Sequence, residues 1–290
     1  MNNEFYIGWM TNAPKNLVRF SKKYLLVCLL VIVILGGILA VSQKKFGTGI
    51  FEFGELTEVK GIYFDKPVPC LKVVSQKDTW GNSSSMTVLL VGYGKHGAEG
   101  IIAAVQKEKN RSLDHKQVIL KGTLIYNDGK TILQIDKNDD PVRYIGDEPA
   151  TDLLAQKKEL GMQTLRGEIV DPKCYFGVMK PGEGKPHRDC AVRCILGGIP
   201  PIFVVKNAAG EANYYLLVGP KGEKMNEAVK EVVSQPVSIT ARLVQYDDWV
   251  VMYVQDEKSI QRISYLKMQF GDSVLDCSAS NGNAPNDGDN

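Results

Sequence analysis

The sequence predicts a mainly β protein: two tandem five-stranded barrels, each with one helix, behind a single N-terminal transmembrane helix. Three observations carry that reading. Residues 24–41 contain no charged side chain, two later stretches run through apolar segments in the same order, and each stretch closes on a hairpin whose turn is built from Asn, Asp or Gly. At 290 residues the chain accommodates two ordinary domains beside the anchor. Hydrophobic residues make up 44% and charged residues 23%, the proportions of a globular protein that buries a core. The formal net charge is only +2 and no long Lys/Arg run is present, which argues against a nucleic-acid partner.

Residues 1–23 read as a cytoplasmic stub and residues 24–41, YLLVCLLVIVILGGILAV, as the membrane anchor. Rising about 1.5 Å per residue, such a helix nearly matches a hydrocarbon core of about 30 Å. Lys15, Arg19, Lys22 and Lys23 precede it, whereas only Lys44 and Lys45 follow closely. That excess keeps the N-terminus cytoplasmic and sends the body to the periplasm or cell exterior as a signal-anchor protein. A cleaved signal peptide is the alternative; its apolar region is usually shorter and ends in a small-x-small site, of which Ile38-Leu39-Ala40 supplies half. On this topology Cys28 lies in the membrane, while Cys70, Cys174, Cys190, Cys194 and Cys277 are exported. Five is odd, so at least one exported thiol is free, shared between chains or bound to something.

The first module covers residues 47–148 and the second residues 163–268. Between them, residues 149–162 read as a linker helix with apolar Leu153, Leu154 and Leu160 and a stop at Gly161. Residues 269–290, rich in Ser, Asn, Gly and Asp and holding Cys277, read as a disordered tail. The modules resemble each other as a tandem repeat. GELTEVKGIYF (54–64) aligns with GEIVDPKCYF (167–176), PCLKVV (69–74) with PPIFVV (200–205), and LLVG (89–92) with LLVG (216–219). Helical stretches follow, with Ile101, Ile102 and Val105 in one and Met225, Ala228, Val229, Val232 and Val233 in the other. The hairpins turn at Asn127-Asp128-Gly129 and at Asp247-Asp248. Strand, strand, strand, helix, strand, strand is the element order of the OB-fold, so each module is expected to be OB-like; SH3-like barrels and small sandwiches are the alternatives.

The modules differ in one connection. Residues 65–68 join the first two strands of the first module, whereas GVMKPGEGKPHRDCAVRCILGGI (177–199) occupies that gap in the second. This loop is one that OB barrels use for ligands. With the preceding strand it holds Cys174, His187, Cys190 and Cys194, spaced C-x12-H-x2-C-x3-C. Pro186 suits a helix start and Gly197-Gly198 its end, which puts 187, 190 and 194 on one face, with Cys174 at the end of a strand free to close on it. Three sulfurs and an imidazole suit tetrahedral zinc, and nearby Met179 would also suit copper(I). Two other readings stay open. One is a structural disulfide from Cys174 to a helical cysteine, since Cys190 to Cys194 within one regular turn fits disulfide geometry poorly. The other is thiol–disulfide chemistry at Cys190 or Cys194, near Lys185, Arg188 and Arg193. Haem is not expected without Cys-x-x-Cys-His, nor a Rieske centre without a second local His.

Other candidates read as ordinary structure. His96 and His115 are expected on the surface. Gly92, Gly94 and Gly97 read as a turn rather than a nucleotide loop, and Tyr214, Tyr215, Trp249 and Tyr253 as core or interface residues.

From Gly167 to Val205 the chain resembles a group of exported bacterial OB-like proteins. Their pattern is Asp-x-x-Cys, a variable loop, His-x-x-Cys-Ala-x-x-Cys and a glycine before an apolar strand, here Asp171, Cys174, His187, Cys190, Ala191, Cys194 and Gly198. The resemblance covers the second module only and implies export without naming a reaction. In the first module Gly61 and Ile62 stand at the aligned cysteine position and the loop is missing, so that module reads as a spacer or docking platform. Taken together, the residues describe a membrane-anchored binding subunit with a Cys3His site, in an electron-transfer or metal-handling assembly with other membrane or exported proteins, rather than an enzyme.

Overall fold

The uncharged run forms a helix. In this computed structural model residues 13–43, 49–74, 85–137, 140–146 and 157–270 are described. Helix α1 (Lys15–Gln43) has 29 residues, and at about 1.5 Å per residue that is long enough to cross a bilayer core. Leu25, Leu26, Leu29 and Ile32 point outward from it, so it is a helix both long and apolar enough to span a membrane. Residues 1–47 form one unit of the chain and residues 48–290 another.

The second unit begins with β1 (Ile50–Phe51), followed by β2 (Thr57–Phe64), β3 (Cys70–Val74), β4 (Ser85–Val91), α2 (Glu99–Glu108), β5 (Gln117–Asn127), β6 (Lys130–Ile135) and β7 (Val142–Gly146). Antiparallel ladders join β2 to β3, β3 to β4, β2 to β5 and β5 to β6. A parallel ladder from β4 to β6 closes the ring. The second barrel comprises β8 (Lys157–Val170), α3 (Arg188–Leu196), β9 (Ile202–Lys206), β10 (Ala212–Val218), α4 (Asn226–Val229), β11 (Pro236–Tyr246) and β12 (Trp249–Tyr253). It closes in the same way, with the parallel pair β10–β12. Strand β13 (Ile260–Arg262) adds to β11, and α5 (Tyr265–Phe270) follows. Both bodies are therefore closed five-stranded OB-like barrels with a helix between the third and fourth strands.

Matching ladder positions correct the alignment read from the sequence. Gly61 pairs with Val118 and Gly167 with Val237, so these two glycines are the equivalent pair. Each has the same reason to be glycine: an added Cβ would lie 2.7 Å from the Lys72 carbonyl oxygen at Gly61 and 2.1 Å from that of Val204 at Gly167. Phe64 then matches Val170, six residues before the Phe176 with which it aligned, and Pro69 matches Pro201 rather than Pro200. Letter similarity had slid the frame, because the period-2 burial of a strand tolerates many apolar substitutions.

The linker helix is also corrected. Residues 149–156 lie outside the described residues, but residues 157–162 are the start of β8, whose Lys157, Lys158 and Glu159 pair with Tyr246, Gln245 and Val244 of β11. Gly161, at φ +80°, sits at a register shift in that ladder rather than at a helix end. Cross-strand pairing, including Arg242 to Glu159 at 3.0 Å, overrides local helical preference. Of the tail, residues 271–290 and Cys277 fall outside the described residues. Helix α4 is a single turn; Met225, Val229 and Val233 are buried as their spacing predicts, but the chain continues as turns.

The two barrels share a core. Leu89, Val91, Ile125 and Ile132 of the first pack with Phe176, Leu216, Trp249 and Val251 of the second. Reciprocal polar contacts flank this apolar seam. The Thr87 amide donates to Asp248 Oδ1 at 3.0 Å and Trp249 Nε1 donates to the Thr87 carbonyl at 3.3 Å. From the other side, the Tyr214 hydroxyl donates to Asp128 Oδ2 at 2.9 Å. Lys72 and Asp247 form a buried ion pair across the seam at 2.7 Å. Tyr214 and Trp249 are thus interface residues, as the sequence predicts.

Phe176 is fully buried in this shared core, with its ring 5.0 Å from Tyr214 and 6.5 Å from Trp249. Phe176→Ala is expected to cost about 3–5 kcal/mol. Because the core is continuous, urea unfolding followed by fluorescence and circular dichroism should lose both barrels in one transition at a lower midpoint; two separated transitions would contradict the shared core.

Candidate functional site

The long connection between β8 and β9 is ordered by its own turns. Strand β8 stops at Val170 because Pro172 has no N–H for the ladder, and Asp171 Oδ1 accepts the Lys173 amide at 2.9 Å. The chain then tightens into a π-turn, Cys174–Val178, so Cys174 stands four residues past the strand and not at its end. Gly182 lies against this turn, where an added Cβ would be 2.5 Å from the Tyr175 Cα. The Gly184 amide donates to the buried Glu168 at 2.5 Å and pins the middle of the loop to β8. Lys185–His187 forms one 3₁₀ turn with Pro186 in its first positions, and α3 follows to Leu196. Asn226 Nδ2 donates to the carbonyls of Ile195 (2.6 Å) and Ile199 (2.9 Å), satisfying groups at the end of that helix.

This scaffold brings the predicted residues together. Cys174, His187 and Cys190 each offer a ligand atom within 4.8 Å of the other two, and so do Asp171, Cys174 and Cys194. Asp171, Cys174, His187 and Cys194 are between 0% and 4% exposed, while Cys190 is half-buried and opens the cluster to solvent. The described cysteines are free thiols, so the stapling disulfide is not favoured. Both ring nitrogens of His187 and Oδ2 of Asp171 are buried without a hydrogen-bond partner. Buried polar groups are ordinarily satisfied, so these three are atoms that a bound ion could satisfy. The donor set of thiols, imidazole and carboxylate can hold a metal ion. Met179, the further copper donor expected from the sequence, is substantially exposed.

Electrostatics follow from burial and from one neighbour the sequence did not reveal. Burial lowers the His187 pKa below its ordinary 6.5, which favours neutral imidazole, the form that binds metals. The hydrogen bond to Cys194, then burial and the Asp171 carboxylate, push the Cys174 thiol far up in the metal-free state. Lys95, from the first barrel, places Nζ 2.9 Å from Cys190 Sγ and 4.0 Å from Cys194 Sγ. Its own pKa is raised chiefly by the hydrogen bond to Cys190. Lys173, beside Cys174, reaches back to hold the Lys95 turn through the carbonyls of Gly92 (3.1 Å) and Gly94 (2.6 Å).

Two glycine contacts allow the approach. A Cβ at Gly197 would lie 1.8 Å from the Lys95 carbonyl oxygen, and one at Gly97 would lie 2.3 Å from that of Gly198. The Gly97 amide also donates to the Gly197 carbonyl at 3.0 Å. Gly92, Gly94 and Gly97 are therefore a docking turn, which agrees with the turn expected from the sequence. The first barrel is more than a spacer, because it supplies a cation to the cluster. No local pattern in the sequence could have paired Lys95 with Cys190, ninety-five residues away. His96 is exposed, and His115 is exposed beside Asp114 at 3.0 Å.

No family model matches the chain, and no curated protein matches it. Among solved structures, a deletion mutant of the single-stranded DNA-binding protein from Thermus aquaticus matches at 11% identity, covering 76% of this chain and 90% of that one, with a TM-score of 0.19. A likeness at that score carries no argument about this chain.

Two outcomes follow from the electrostatics. Since the folded His187 pKa is lowered, the unfolded chain takes up its proton first. Its stabilising contribution is complete above about pH 6.5 and is lost as pH falls from there through the lower folded value. Denaturant midpoints of metal-free protein between pH 8 and pH 5 should show this loss, and His187→Gln should flatten it; an unchanged slope would contradict a buried neutral imidazole. Lys95→Met removes the ammonium beside Cys190, and alkylation of metal-free protein by iodoacetamide at pH 7 should slow several-fold at that residue. An unaltered rate would mean that Lys95 does not act on the thiol.

Proposed function

We propose that this protein is a membrane-tethered binding subunit whose second barrel carries a metal centre at Cys174, His187, Cys190 and Cys194. One observation supports the reading: Cys174, His187 and Cys190 offer ligand atoms within 4.8 Å of one another, Cys194 joins Cys174 in a second such group, and both imidazole nitrogens are buried without a hydrogen-bond partner. Zinc or copper(I) fits the donors, both being thiophilic ions that accept imidazole. The uncharged run 24–41 of helix α1, with its excess of preceding Lys and Arg, supports an N-terminus in the cytoplasm and a body in the periplasm or outside the cell. The Asp-x-x-Cys and His-x-x-Cys-Ala-x-x-Cys motif supports grouping the chain with exported bacterial OB-like proteins. In that setting the centre serves electron transfer or metal handling, in contact with other membrane or exported proteins.

A second reading has its own observation. Cys190 is the half-exposed member of the cluster and lies against the Lys95 ammonium, so its sulfur can be reached from solvent beside a cation. As a thiol–disulfide oxidoreductase, Cys190 would attack a substrate disulfide, and a second cysteine would resolve the mixed disulfide, leaving the substrate reduced and the protein oxidised.

Full-length protein purified in detergent and assayed for bound metal and free thiols separates the two. Stoichiometric metal in the wild type, lost in the Cys190→Ser/Cys194→Ser double variant with the circular dichroism spectrum retained, is the expected result. Metal-free protein with a readily reduced bridge replaces it with the oxidoreductase. Metal-free protein with unreactive thiols removes both.

A further inference from the structure

The cluster is not one ring of four donors. Its atoms fall into two sets of three, Cys174 with His187 and Cys190, and Asp171 with Cys174 and Cys194, and Cys174 belongs to both. Metal–sulfur bonds of about 2.3 Å and metal–nitrogen or metal–oxygen bonds of about 2.0–2.2 Å put two ligands of one ion no more than about 4.6 Å apart. Three donors mutually within 4.8 Å are thus on the scale of a single ion's ligands, and here that arrangement occurs twice.

We propose that the centre holds two metal ions bridged by the Cys174 thiolate, one completed by His187 and Cys190 and the other by Asp171 and Cys194. The proposal rests on the metal-binding reading above and assigns Asp171, absent from the Cys3His set, as a ligand. Asp171 is fully buried. Its Oδ1 accepts the Lys173 amide, and its Oδ2 is buried with the Cys174 thiol beside it, whose proton a bound cation would displace.

Each ion would have three protein donors, one fewer than a closed structural site, so each keeps a position for an incoming group. That pattern suits a centre that exchanges ligands or ions better than one that only staples a loop.

The test uses full-length protein in detergent, reduced, stripped with chelator, equilibrated with zinc and freed of excess, with the zinc-to-protein ratio read by elemental analysis. The expected ratio is two for the wild type and one for Asp171→Asn, a halving without change in the circular dichroism spectrum. A wild-type ratio of one overturns the two-ion centre while leaving the metal-binding reading intact, and a ratio of zero removes both. A ratio of two that Asp171→Asn does not lower overturns the assignment of Asp171. Cobalt(II) loading gives a readout independent of folding losses. Two ions sharing a sulfur should show weakened paramagnetism per ion through magnetic coupling, restored to the isolated-ion value in Asp171→Asn; uncoupled ions in the wild type would overturn the shared Cys174.

Discussion

The structure depends on the packing of one barrel against the other. Phe176 enters a core shared with Ile125 and Ile132, Trp249 closes over Thr87, and the turns at Asp128 and Asp247-Asp248 each reach across to the opposite barrel. Phe176 apart, these contacts come from the same strands and hairpin turns of two bodies of one topology, so each barrel covers the surface that the other would otherwise expose. Burial of large apolar side chains is the dominant favourable term in such an association. The polar contacts at its margin set the register rather than supply most of the energy, because net hydrogen-bond contributions are near 1 kcal/mol each.

The candidate site inherits its geometry from that seam. The π-turn carrying Cys174 lies against the first barrel: Gly177 approaches the Ile50 carbonyl so closely that a Cβ would sit 2.6 Å from it. On the far side, α3 ends in Gly197-Gly198 against the turn that presents Lys95. Displacing either contact would move one sulfur relative to the others, and a metal centre tolerates little of that. Lys173 ties the two halves together, its ammonium on the first barrel's carbonyls and its backbone on Asp171. Burial lowers its pKa, since the interior disfavours the charge it brings.

Burial also sets the thiols of the cluster apart. Cys174 and Cys194 are enclosed, with Cys174 raised by its sulfur neighbour, by desolvation and by Asp171, so without a cation it stays a thiol. Cys70, buried at the seam, is pushed up to about 12 by desolvation and is inert packing. Cys190 alone combines solvent access with an adjacent ammonium. Exchange with the outside, whether of metal or of a ligand, therefore has one direction of approach.

Residues 24–41 lack charge over a membrane's thickness, so the sequence alone determined a spanning-competent helix, whatever the body does. It also determined the barrel elements, because alternating apolar residues, Asp-rich turns and an interposed helix are local signals. The helix that carries Cys190 and Cys194, with His187 in the turn before it, followed from Pro186 and Gly197. Tertiary structure decided the rest. Residues 157–160 became strand because β11 offered them a ladder, and the true partner of Gly61 emerged only from carbonyl approach across a sheet. Lys95 joined the cluster, and Asp171 turned a bare oxygen into it, through contacts between segments far apart in the chain. Local sequence encodes what neighbours along the backbone can satisfy; charge compensation in a buried site depends on whichever groups folding brings within a few ångströms.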